Sequence, residues 1–467
     1  MSKPRRYPPL AIVLHAFSAC KVFVPLLFVY FFRKKELSFS MLLLFILIGL
    51  LLAFVVGGIR YYTHTYQIKA HEIVLYKGIF NKKQTVIPYE RIQTIRQQQW
   101  FFLKPFGITS LTIDTGASGE KAEASMPAVK MVVLEELERM RLGKSEPVES
   151  VEQLAGYQMT AAQLLLFSLT EWKVFVGTVV IFGSIGQYIT ADLLDAFSQR
   201  IGALVAWNWV VVPVLAVVIL LIIVGLATLR NAMHYYPFSV RRQANSLIIE
   251  RGTGQQRVQS VALEKIQAVQ IKQNILRKLF KVLSVELIII GSEDAQEKED
   301  SLYLIPLMKQ EQCTAMLAEL LPEYGISQEN LPHVARASLF YFWRWPLLVY
   351  LVTLVGSYFL PGRLIIWGVL TIVCLFLLIN QWLKREKQAF AIQQKQLIIQ
   401  EYVLFTESQT YVRKNKIQAL SRRSSYWLLK KRLGHLQFSI KKGNGVHLAS
   451  LKYLHEEAMN ELIRFYR

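Results

Sequence analysis

Cysteine is almost missing from this chain: Cys20, Cys313 and Cys374 are all it has in 467 residues. They stand far apart and form no Cys-x-x-Cys pair, which excludes a disulfide framework and a cysteine zinc site. Acid is also scarce, with 33 Asp and Glu against 54 Lys and Arg, a formal net charge of +21. The 8 histidines make no ligand set; His64 and His71, the closest pair, fall in a region that reads as strand. There is no phosphate-cradling Walker loop, dinucleotide glycine pattern or nucleophile elbow. Gly252-Thr-Gly254 and Gly443-Asn-Gly445 are too short to hold phosphate and sit between strands. Asp114-Thr-Gly-Ala spells an aspartic-protease signature, but that chemistry needs two carboxylates sharing a proton. The positions in register further along are Ile288 or Ile289 and Lys441, so the segment reads as a polar hairpin turn. No enzymatic activity and no cofactor or metal are expected.

Apolar residues are abundant. A mean hydropathy of +0.30 with a pI near 9.7 fits a membrane protein whose polar parts face a negative surface. Met41–Ile59, Leu204–Leu229 and Leu364–Leu383 carry no charge, and each can cross a hydrocarbon core of ~30 Å at ~1.5 Å per residue. Each is preceded by a second apolar segment: Leu10–Phe32, Val174–Thr190 and Trp345–Leu360. Leu10–Phe32 lacks a small-residue cleavage site and reads as a retained helix. Six spans in three hairpins follow. An apolar run begins right after Lys21, Lys173 and Arg344, cations placed to snorkel to the headgroups. Paired spans put the termini and all polar regions on one side. Lys3, Arg5, Arg6, Arg60, Arg139, Arg141, Arg230, Arg241, Arg242, Arg336, Lys384, Arg385 and Lys387 flank that side, against Arg33, Lys34, Lys35, Arg200 and Arg363 opposite; the first hairpin loop goes against the positive-inside rule but the sum makes that side cytoplasmic.

The polar regions repeat. Ile92-Gln93, Ile266-Gln267 and Ile417-Gln418 each follow a cation, at intervals of about 150–175 residues, the length of a domain rather than a solenoid unit. Downstream of each lies an apolar run with basic residues: Trp100–Gly107, Ile275–Lys281 and Trp427–Gly434. Short alternating runs around each step predict antiparallel strands with one solvated face. Amphipathic patterns predict a closing helix over Ala128–Met140, Leu307–Leu321 and Leu451–Ile463. The expected organisation is transmembrane hairpins at 1–60, 158–230 and 326–384, polar modules at 61–145, 231–325 and 385–467, and an acidic linker at 146–157.

Two spans followed by about seven short strands and a helix, with the Ile-Gln step in the middle and three copies in line, resembles the bacterial pleckstrin-homology-like family of membrane proteins in its three-copy branch. The resemblance covers the whole chain. It implies a cytoplasmic PH-like antiparallel barrel or sandwich in each unit, closed by its C-terminal helix. It does not imply an enzyme activity; it implies an association with envelope stress and the company of a smaller single-domain relative as a partner. Inositide binding is not carried over. The first hairpin has only Lys69, Lys77, Lys82 and Lys83, without the spaced pattern, and the third unit has Lys395 and little else before Arg413.

The candidate contact residues are basic: Lys82, Lys83 and Lys104 in the first unit, Arg277, Lys278 and Lys281 in the second, and Arg422, Arg423, Lys430, Lys431 and Arg432 in the third. A cation near an anionic leaflet is worth roughly 1 kcal/mol, so such clusters could hold a module against lipid; solvated charge is the plainer reading. Nucleic acid fits less well, although Trp100, Phe101, Phe102 and Trp427 lie beside these charges. The leading reading is a non-enzymatic membrane scaffold or adaptor that contacts anionic lipid, partner proteins or other copies in homo- or hetero-oligomers. The alternative is a six-span transporter or lipid-handling protein, against which the spans hold few polar residues beyond Gln187, Asn208 and Asn380.

Overall fold

Three helical segments, Ile46–Thr63, Leu339–Phe359 and Ile366–Lys387, are long and apolar enough to cross a membrane. They belong to a computed structural model that describes residues 4–20, 39–78, 82–92, 94–114, 123–142, 154–171, 211–243, 245–290, 302–326, 331, 339–359, 363–393, 395–443 and 445–466. Lys21, Lys173, Gln93, the turn after Asp114, the acidic stretch 146–153 and Val174–Thr190 lie outside them. The described chain divides into two units, one of Met1–Gln153 with Arg242–Ala262, the other of Leu154–Arg241 with Leu263–Arg467.

In the first unit, α1 (Ala11–Cys20) packs on α2 (Phe39–Thr63) through Ala16, Ala19 and Ala53. Small residues let helix backbones approach closely. At Gly57 a methyl group would lie 2.7 Å from the Ile12 carbonyl oxygen. A sheet follows in the order β1 (Arg5–Arg6), β2 (Thr65–Ile68), β3 (Glu72–Lys77), β4 (Lys83–Pro88). The chain then turns through Tyr89–Arg91 into β5 (Thr94–Trp100), β6 (Ile108–Asp114), β7 (Glu123–Lys130) and α3 (Met131–Leu142). Ile73, Leu75, Leu111, Ile113, Met126 and Leu137 form the core between these strands and α3. The free side of β5 is taken by β11 (Gln255–Ala262), with β10 (Ser246–Arg251) beyond it. In β10 burial alternates residue by residue, as a half-buried strand requires.

The second unit opens with β8 (Leu154–Gln158) and α4 (Ala161–Thr170). A capping box starts α4: Thr160 Oγ1 accepts from Gln163 N at 3.3 Å and Thr160 N donates to Gln163 Oε1 at 2.9 Å. Next come α5 (Val211–Tyr235), β9 (Phe238–Gln243), β12 (Ile266–Asn274), the single turn α6 (Ile275–Leu279), β13 (Val282–Ile289), β14 (Leu302–Lys309) and α7 (Gln310–Leu320). Helices α8 (Leu339–Gly356) and α9 (Arg363–Lys387) run antiparallel. Trp343 Nε1 donates to the Leu378 carbonyl at 3.1 Å, and Tyr350 and Thr371 share a hydrogen bond of 2.9 Å. The third repeat holds β15 (Ala389–Gln393), β16 (Gln396–Val403), β17 (Thr406–Arg413), β18 (Ile417–Arg423), α10 (Tyr426–Lys430), β19 (Leu433–Lys442), β20 (Gly445–His455) and α11 (Glu456–Tyr466). Leu436, Phe438, Ile440, Leu451, Met459 and Leu462 are its core.

Two expectations change. The sheets do not close into one barrel per repeat. The sheet orders β14-β13-β12-β17-β16-β15 and β18-β19-β20 are open, and consecutive repeats share sheets. In one seam β5 of the first repeat pairs with β11 of the second; in the other, β12 of the second pairs with β17 of the third. The register is the same in both: Arg96 faces Gln259 and Gln270 faces Thr410, equivalent positions counted from the Ile-Gln step. A covered edge is the physical gain, since an unpaired strand edge templates aggregation. The closing helices also start late, at Met131, Gln310 and Glu456. Ala128–Lys130, Leu307–Lys309 and Leu451–His455 extend strands instead. Their apolar side chains suit either period, and pairing with the neighbouring strand overrides helical propensity.

Candidate membrane-contacting tips

The Ile-Gln step has a structural role. In each repeat a one-turn 3-10 helix (Tyr89–Arg91, Leu263–Lys265, Lys414–Lys416) leads into a buried isoleucine, Ile92, Ile266 or Ile417. Pairing with the next strand skips a residue between Ile266 and Ala268, and again between Ile417 and Ala419. Gln267 and Gln418 are therefore bulge residues, which bend a strand and increase its twist. The bend lies where the chain passes from one sheet to the next.

The strand that starts at this step ends in a tip: Trp100–Gly107, Asn274–Lys281 or Ser425–Arg432. The three tips share a plan. First come two exposed apolar side chains: Phe101 and Phe102, Ile275 and Leu276, Tyr426 and Trp427. The next side chain is a buried anchor: Leu103, Arg277 or Leu428. More exposed apolar residues follow the anchor: Phe106, Leu279 (75% exposed) and Leu429. Large apolar side chains clustered in this way mark an interaction surface.

The structure sorts the basic candidates. Lys104, Lys278, Lys281, Lys430, Lys431 and Arg432 are exposed on the tips. Lys430 Nζ lies 4.8 Å over the Tyr426 ring, and Lys278 Nζ is 3.5 Å from Glu407 Oε2. Lys82 and Lys83 are exposed at the start of β4, and Arg422 and Arg423 at the end of β18, on strands rather than tips. Arg277 is a correction. It is 4% exposed and cannot reach a lipid surface. Its Nη2 donates to Glu171 Oε2 at 2.7 Å, its Nη1 to Ser284 Oγ at 2.8 Å and its Nε to Thr170 Oγ1 at 3.2 Å, and the guanidinium lies 5.3 Å from the Phe167 ring centroid. Tyr303, whose hydroxyl is pushed well up from its usual range by burial, also donates to Glu171 Oε2, at 3.3 Å. The position takes a leucine in the other two tips, so the cation is an internal anchor.

Each of the first two tips is tied to the hairpin of the following repeat. Phe101 N donates to the Gly254 carbonyl at 3.0 Å, and Ile275 N to the Phe405 carbonyl at 3.2 Å. Leu404 and Phe405 form the β16–β17 turn in the left-handed region, as two-residue hairpin turns require. This turn leans on α9: the Phe405 ring centroid is 4.4 Å from that of Phe376, and Phe405 N donates to Asn380 Oδ1 at 3.1 Å. Phe376 lies about 12 Å along the helix axis from Lys384 at ~1.5 Å per residue. The turn and the second tip thus reach past the basic end of α9, toward its apolar middle. In the first unit the Trp100 ring is 6.1 Å from Phe17 of the apolar helix α1. The sequence offers Asn380 only as a polar residue within a span and does not offer the Leu404-Phe405 turn; an apolar pair at a hairpin turn is the signal available.

Every tip ends on a left-handed residue at the same place: Gly107 (φ 61°), Lys281 (φ 52°) and Arg432 (φ 52°). Glycine is unstrained there, whereas a side chain costs on the order of 1 kcal/mol. Arg432→Gly is therefore expected to raise the apparent Tm of the full chain in detergent by about 2 °C, read in a thermal scan, and an unchanged or lower Tm would refute the strain.

Helices fit to span a bilayer, joined to three repeats of strands, tip and closing helix, define a membrane protein built from bacterial PH modules. The profile of the bacterial PH domain matches residues 12–143 and 180–323, more than half the chain, and the chain belongs to that family. It is 25% identical over 495 aligned residues to the UPF0699 transmembrane protein YdbT of Bacillus subtilis (strain 168), with 100% of this chain and 98% of the relative covered. It is also 30% identical over 88 residues to the UPF0699 transmembrane protein YdbS of the same organism, covering 19% of this chain and 51% of that protein. No solved structure matches. The third repeat lies beyond the matched ranges but has the same order of elements.

Proposed function

We propose that this protein is a non-enzymatic scaffold whose PH-like modules are held against the cytoplasmic leaflet by three helical hairpins, with their apolar tips in the bilayer interface. The observation that carries the reading is the Phe405 turn. It lies against Phe376 and Asn380, on the bilayer side of Lys384, and is hydrogen-bonded to the second tip. Apolar side chains on the tips would enter the headgroup boundary, and the exposed cations beside them would face anionic headgroups, worth roughly 1 kcal/mol each near the surface.

Hydrogen–deuterium exchange of the full chain tests this. In nanodiscs containing an anionic lipid, residues 275–281 and 426–432 should exchange at least about tenfold more slowly than in detergent lacking a bilayer, and protection should weaken in a neutral bilayer at higher salt. Equal exchange in detergent and in both bilayers would exclude tip insertion.

A further inference from the structure

The two seams leave two strand edges over. The fourth strand of each repeat carries the third strand of the next: β5 carries β11 and β12 carries β17. Among the described residues, β18 pairs with β19 alone and β4 with β3 alone. β18 is thus an acceptor without a donor strand, and β4 a donor without an acceptor. Burial follows. β12 is buried from Ile266 through Ile271, whereas Gln418, Ala419, Ser421, Arg422 and Arg423 of β18 are exposed. On β4, Lys83, Gln84 and Val86 are exposed.

We infer that β18 of one molecule takes β4 of a second copy of this chain, in the register that both internal seams use. That register sets Ala419 opposite Ile87, Leu420 opposite Val86, Ser421 opposite Thr85 and Arg422 opposite Gln84. The residue types repeat those of the β12–β17 seam, where Ala268 faces Val412, Val269 faces Tyr411, Gln270 faces Thr410 and Ile271 faces Gln409. Thr85 and Gln84 stand where Thr410 and Gln409 stand. In the observed seam Gln270 Nε2 donates to Thr410 Oγ1 at 3.2 Å; Ser421 and Thr85 are both hydroxyls and can pair in the same way. The outermost pair, Arg423 with Lys83, is repulsive, which sets the contact apart from lipid binding: added salt strengthens it. Because the contact is head-to-tail, it generates a chain or a closed ring of molecules rather than a two-fold dimer.

The test is the oligomeric distribution of the full chain in nanodiscs and in mild detergent, by native mass spectrometry and sedimentation. Assemblies larger than the monomer are expected. Ser421→Lys and Thr85→Lys, both on edges, should each weaken assembly by about tenfold or more without lowering the Tm. Combining Ser421→Lys with Thr85→Glu should restore it. A 1:1 mixture of the Ser421→Lys and Thr85→Lys chains should stop at dimers, since that pair retains one intact seam. A monomeric wild-type chain at the concentrations of a crowded membrane would overturn the inference. So would assembly that survives both lysine substitutions, or a dimer cross-linked only between identical positions, because each places the contact elsewhere.

Discussion

Glu171→Ala should lower the apparent Tm of the full chain by about 10 °C, the equivalent of roughly 3–5 kcal/mol. The substitution leaves the Arg277 guanidinium buried without its counter-ion and removes the acceptor for Tyr303. Removing one partner of a buried pair is far more damaging than removing both, because the remaining charge is neither hydrated nor neutralised. The matching experiment is therefore the double variant. Arg277→Leu with Glu171→Leu places at this anchor the residue that Leu103 and Leu428 supply in the other tips, and should recover at least half of the loss. If Glu171→Ala alone has a Tm within about 2 °C of wild type, the pair is not the internal anchor described. Surface expression of the variants is a poor substitute readout, since it mixes folding with quality control; thermal scans in one detergent avoid that.

Gln409→Pro should be nearly as harmful, on the order of 3 kcal/mol. Gln409 faces Ile271 on one side and Gln400 on the other. Whichever neighbour its N–H serves, proline removes that bond and leaves an acceptor orphaned within the sheet. The consequence spreads beyond one repeat, because β17 joins the third repeat to β12 of the second. Deuterium exchange should therefore rise in β12 as well as in β16, whereas three self-contained barrels would confine the effect to residues 389–466. Uptake confined to the third repeat would contradict the shared sheet.

These two expectations locate what could be read in advance. The threefold Ile-Gln step marks three units in the sequence, but the cation clusters around it do not show which of them lie on tips and which on strands. The physical role of the step could not be read, since a glutamine at a bulge is indistinguishable in sequence from one on a solvated strand face; only the skipped pairing at Gln267 and Gln418 separates them. All three closing helices start later than their apolar spacing predicts. Ala128-Val129-Lys130 has spacing compatible with a helix or a strand, and the partner strand β6 decides, pairing Thr109 with Val129. In sequence Arg277 is indistinguishable from a surface cation, because its partner Glu171 is distant along the chain.

What the sequence by itself determined is local: where apolar runs are long enough to leave water, where strands alternate, and that one module is used three times. Those features depend on residue type and spacing along a continuous stretch, which is all a chain displays before it folds. The tertiary structure alone decided which edges pair across repeats, which cation is buried, and how far the Phe405 turn reaches along α9. Each of these depends on residues distant in sequence meeting in one register, and among the described residues that register, used in both seams, leaves β4 without an acceptor strand and β18 without a donor.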